Sequence, residues 1–241
     1  MPIKGVILGF VVVLVALTPQ IALAQDITID FGDDGSLTAR SLQLIALITV
    51  LSLAPGLAVM ITCFPFVVTV LSILRQAIGL QQSPPNMLIV SLALFLTYFV
   101  MAPVFEAAYS AGISPLLDGV IEINDAIALT YEPFRVFMLD RVNAETLQGL
   151  ADLRDVAQAD DVDASILIPA FMLSEVERAF QIGFLIFLPF LIIDLVVAAV
   201  LMSMGMMMVP PAIVSLPFKL AFFVVADGWA LLTGALVRSY F

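Results

Sequence analysis

From Ser41 to Leu74 the chain runs for 34 residues without a single charged side chain. No other feature narrows the possible folds as much. A bilayer core of about 30 Å is crossed by about 20 helical residues. As one helix this run would be about 51 Å long at 1.5 Å per residue. It therefore overshoots one straight crossing. Proline removes a backbone donor and disrupts the turn before it, so Pro55-Gly56 and Pro65 are the expected break points. The run reads as two joined helices, or as one kinked helix standing out of the membrane.

The rest of the chain fits the same class. Hydrophobic residues make up 62% and charged residues 12%, against about a quarter charged in soluble domains. Residues 87–105 are apolar over one crossing length, and two more apolar segments, 180–204 and 212–237, follow later. Between the second and third segments, residues 106–178 hold fourteen of the twenty acids and four bases. Phe134, Phe137, Met138, Leu147 and Leu150 fall at helical spacing there. Asn143 reads as an N-cap, Pro169 as a first-turn proline, and residues 157–165 as an acidic linker. The acid excess reads as a solvated face.

The expected class is all-α: membrane-inserted bent helical hairpins with an acidic helical domain. The expected divisions are a signal peptide at 1–24, an outer arm at 25–40, a first hairpin at 41–105, the acidic domain at 106–178, and a second hairpin at 179–241. Lys4, the apolar stretch after it and the small residues Ala22 and Ala24 fit a secretory signal cleaved after Ala24. Cleavage there puts the mature N-terminus and the acidic domain outside, and Arg75 inside. The chain has no histidine and one cysteine, Cys63. Zinc sites, disulfide frameworks and Cys–His nucleophiles are excluded. No phosphate-binding glycine loop is present, and a pI near 4.1 argues against nucleic acid. No cofactor and no enzymatic activity are expected.

Three groups of residues stand out. Asp194, Lys219 and Asp227 lie within apolar segments, where a charge costs about 2.5–3.5 kcal/mol and faces a partner or water. They serve either a proton pathway or interhelical packing, and packing is favoured because no second basic residue completes a relay. Prolines recur in the apolar parts, which implies helices packed on protein or lining a cavity. Last, Met206, Met207 and Met208 form a cluster within a Met-rich loop, 202–211, with Gly205 before it and Pro210-Pro211 after it. Glycine permits a bend and the prolines stop the helix. Methionine re-packs around many shapes, so the loop suits either an apolar, dewetting constriction or a plain hairpin core.

The blocks "FPFVVTVLSILRQAIGLQQSPPNMLIVSLALFLTYFVMAPVFEAAY" (64–109) and "FQIGFLIFLPFLIIDLVVAAVLMSMGMMMVPPAIVSLPFKLAFFVVADGW" (180–229) closely resemble the FliP family of type III secretion export-gate proteins. The amino-terminal signal favours the flagellar branch over the injectisome branch. The resemblance implies a subunit of a helical export pore at the basal body in the bacterial inner membrane. It implies about five copies assembled with FliQ- and FliR-like partners, unfolded flagellar proteins in transit, and a methionine gasket at Met206, Met207 and Met208. It also implies that the apolar segments pack on neighbouring subunits. The stretch "ADLRDVAQADDVDA" (151–164) matches no motif of the family. The rival reading is a self-contained proton or ion pathway built on Asp194 and Asp227.

Overall fold

The computed structural model describes residues 37–79, 84–154 and 163–241, with the side chains of 37–40 and of Ala54 left aside. The signal at 1–24 with Ala22 and Ala24, most of the outer arm and most of the acidic linker lie outside the described residues. The described residues are all α-helix and turn, with no strand among them.

The chain divides into two units, Met1–Thr49 and Val50–Phe241. The described part of the first is helical, and Leu42, Ile45 and Ile48 are exposed on it. This helix, α1 (Leu37–Met60), starts four residues inside the stretch expected as an arm and runs straight through Pro55. The break comes instead at residues 61–63, just before α2 (Phe64–Ile78), with Pro65 in its first turn. There proline's missing N–H falls where the helix has no acceptor anyway. Two joined helices, not one kinked one, therefore fill the uncharged run.

In the second unit, α2 is the core. Phe66, Val67, Val70, Leu71 and Leu74 are buried along it. It ends on Gly79 in the left-handed conformation (φ 89°), with the Gly79 N–H donating to the Gln76 carbonyl at 3.0 Å. Such a cap suits glycine because it has no Cβ to clash. At 15 residues α2 is too short to cross a bilayer alone. It packs chiefly on the long helix α7, described below, and on α3 (Asn86–Ala108). Arg75 closes the intervening loop by donating to the Asn86 side chain.

Beyond α3 the helix widens into a π turn (Tyr109–Ile113) and a short α4 (Ser114–Leu117). The helical stretch long and apolar enough to cross a membrane thus runs from Asn86 to Leu117, 32 residues. The acidic domain is built from α5 (Ile123–Arg141) and α6 (Ala144–Asp152). Asn143 is the N-cap of α6, its side chain accepting from the Glu145 N–H at 2.8 Å. Met138, Leu147, Leu167, Ala170 and Phe171 form a small apolar core under this domain.

Helix α7 (Ala164–Ser203) is continuous for 40 residues, about 60 Å at 1.5 Å per residue. It begins before Pro169, which sits in its second turn and not its first, and it passes residue 178 unbroken. The acidic domain and the last apolar segment therefore share one rod. Pro189 lies inside it. Gly183 lets α2 come close, since a Cβ there would strike Ile73. Phe184, Leu185, Leu191, Ile192, Leu195 and Val196 are exposed along α7, so this chain leaves one apolar face of that helix uncovered. The last hairpin arm is bent: α8 (Pro211–Val225) and α9 (Gly228–Arg238) meet at 61°. The chain end returns to the acidic domain, where Tyr240 stacks on Phe137.

Candidate functional site

The turn between α7 and α8 is set by its backbone. Gly205 takes φ 75°. Its N–H donates to the Met202 carbonyl at 3.0 Å, and the Met206 N–H reaches back to Leu201 at 3.0 Å. This pair of bonds is the Schellman ending of a helix, which needs a left-handed residue at that point. Any side chain there would strain the backbone. A second turn follows, with the Val209 N–H donating to the Met206 carbonyl at 3.4 Å. Pro210 is then extended and Pro211 opens α8. Met206 is 40% exposed, Met207 84% and Met208 97%. Met207 and Met208 do not pack into the core of their own hairpin. Met206 and Met204 line an apolar groove of about 580 Å³ between the two arms, α7 and α8.

About 14 Å back along α7, nine residues at 1.5 Å each, the structure brings Asp194 and Lys219 together. Lys219 Nζ donates to Asp194 Oδ2 at 2.7 Å and to the Ala77 carbonyl at 3.1 Å. Ser215 donates to Asp194 Oδ1 at 2.5 Å. Lys219 is buried, and the Asp194 side chain is 36% exposed. One cation thus joins α7 to α8 and also satisfies a carbonyl in the last turn of α2, where helix dipoles favour positive charge. Asp227 is not part of this cluster. It lies eight residues beyond Lys219, about 12 Å along a helix, at the bend between α8 and α9. Its φ is 49°, and it caps α9 without a side-chain hydrogen bond. Aspartate is among the few residues that tolerate this left-handed geometry. Gly228 follows it because a Cβ would collide with the Phe223 ring.

A second buried charge cluster was not evident from sequence. Glu175 is fully buried, unlike the solvated acids expected around it. Arg141 Nε donates to Glu175 Oε1 at 3.3 Å, and Arg178 lies 3.9 Å from the same oxygen. Tyr240 donates its hydroxyl to Glu175 Oε2. Arg141 also donates to the Ser239 carbonyl at 2.6 Å and stacks over the Tyr240 ring at 4.0 Å. Burial, helped by the Glu175 charge, pushes the Tyr240 phenol far above its usual range. The cluster ties the end of α5, the first half of α7 and the chain end to one another. It lies about 42 Å along α7 from Ser203, 28 residues at 1.5 Å each. The sequence did hold a signal. Glu175 shares a helix face with Phe171 and Ala179, four residues to either side, and both are buried.

Long apolar helices, with an ion pair set among them and no strand among the described residues, define an all-α membrane protein. Comparison with known proteins refines this. The sequence profile of the FliP family matches residues 47–236. A protein named flagellar biosynthetic protein FliP in Caulobacter vibrioides is 53% identical over 93% of this chain and 86% of its own length. Proteins of the same name in Rhizobium meliloti and Bacillus subtilis are 47% and 42% identical. These alignments cover 96% and 89% of this chain, and 97% and 98% of those relatives. The chain belongs to the FliP family.

Proposed function

We propose that this chain is a non-enzymatic subunit of the flagellar type III protein-export gate. Several copies, about five by the family resemblance, surround an axis together with FliQ- and FliR-like subunits. Unfolded flagellar proteins pass through the resulting pore in the inner membrane at the basal body. The acidic domain faces the periplasm. Energy comes from other components, since the chain carries no nucleotide-binding motif.

The observation that carries this reading is the exposed methionine turn between the apolar helices α7 and α8. Thioether side chains left uncovered at a helix end suit a surface that must close on itself and also yield to varied chains. The uncovered apolar face of α7 supports packing against other subunits. The rival, a self-contained proton pathway, is disfavoured by the separation of its two acids. Asp194 is held by Lys219 and Ser215, whereas Asp227 lies at the far end of α8.

The test replaces Met206, Met207 and Met208 together with alanine and reads membrane conductance beside export of a flagellar substrate. The expected result is a raised ion leak with export partly kept. Phenylalanine at the same positions seals but slows export, because a rigid ring cannot re-pack. A triple alanine variant that assembles and leaks no more than the wild type refutes the role of the loop.

A further inference from the structure

We propose that the α7–α8 turn is a binding site for soft monovalent d10 cations, Ag(I) or Cu(I), held by methionine thioethers alone. Five of the eleven methionines fall within seven residues, at positions 202, 204, 206, 207 and 208. All five are exposed, and the two at 207 and 208 almost fully so. The two successive turns closed by Gly205 and Val209 fold this short stretch back on itself. The turns close Met202 on Gly205 and Met206 on Val209, so all five methionines lie within two adjacent turns. A methionine side chain has three rotatable bonds, which lets neighbouring thioethers turn toward one ion. Met204 and Met206 already face the same groove.

The donor set decides the class of ion. Between Asp194 and Lys219 the chain holds no acid, no amine and no histidine. Hard cations such as Mg(II) and Ca(II) require oxygen ligands that the loop does not offer, whereas soft thioethers select Cu(I) and its congener. A thioether carries no proton, so binding releases none. A thiolate or carboxylate site would weaken on acidification, and this one does not. The site is a property of the single chain and holds whether or not the loop seals a pore.

The experiment uses the full chain purified in detergent with Cys63→Ala, so that no thiol competes, and methionine labelled at its methyl carbon. Ag(I) is added in chloride-free buffer. The expected result is saturable binding that shifts the methyl resonances of the loop and is unchanged between about pH 5 and pH 8. Mg(II) produces no shift. Met206→Leu, Met207→Leu and Met208→Leu combined abolish the saturable component, while Met87→Leu, an exposed methionine on α3, leaves it intact. Should the triple variant fold poorly, the wild-type shift map decides alone. Shifts outside the loop, binding that weakens with acid, or no saturable binding overturns the proposal. If binding is seen, Ag(I) added to cells that export flagellar substrate tests the gate separately. Export stops if the loops line the pore, and continues if the gate reading is wrong while the site is real.

Discussion

Lys219→Met tests what holds the last hairpin together. The substitution keeps an unbranched apolar stem but removes the ammonium. Asp194 then retains Ser215 alone, and the Ala77 carbonyl loses its donor. Breaking a fully buried pair from one side costs about 3–5 kcal/mol. Here the Asp194 side chain is 36% exposed, and solvent screens part of the loss, leaving about 1–3 kcal/mol. A loss of about 2 kcal/mol lowers the melting temperature of a chain this size by about 4–8 °C. Asp194→Leu combined with Lys219→Met removes both charges and recovers most of that fall, since no lone charge remains. Thermal melts of the four members of this cycle in detergent give the coupling energy. The same pair predicts that Asp194→Asn is tolerated better than Asp194→Ala in motility, because the amide still bonds Ser215 and Lys219. A coupling below about 0.5 kcal/mol, or an Asn variant as immotile as the Ala variant, refutes a packing role.

Two further outcomes follow from the acidic domain. Tyr240 holds its proton more tightly when folded, so its contribution to stability is whole below the unfolded value of about 10. It is lost as pH rises beyond that. The wild-type melting temperature therefore drops in strong alkali, and Tyr240→Phe shows a flatter profile but a lower melt near neutrality, having lost the bond to Glu175. Gly112→Ala forces the π turn away from α5, because a Cβ there meets the Ala126 carbonyl and the Thr130 backbone. Overpacking of this kind costs about 1–3 kcal/mol. Thr130→Ala does not rescue the variant in a melt, as the obstructing atoms include main chain.

What the amino-acid order determined by itself is the part governed by local chemistry and by the solvent. An uncharged run of 34 residues dictates helix in lipid, whatever it packs against, because every buried backbone group must be satisfied within the segment. The Asn143 cap and the helix stop at Gly205 and Pro210-Pro211 were legible for the same reason, since each acts on its own few backbone bonds. Asp194 and Lys219 were visible as costly charges in an apolar setting. Their meeting was not, because 25 residues separate them and only the crossing of α7 and α8 sets that distance. Proline misled for a related reason. Pro55 and Pro169 lie inside helices that continue through them. A lost hydrogen bond is a local cost, and the remaining backbone bonds of a long helix outweigh it. Glu175 shows the limit most clearly. As one acid among fourteen in its region, it has the composition of a solvated face. Arg178 is its neighbour on α7, but tertiary structure alone brings Arg141 to it from α5 and Tyr240 from the chain end. Long-range closure of this kind leaves no periodicity in the order of residues, because it is decided by where distant helices cross.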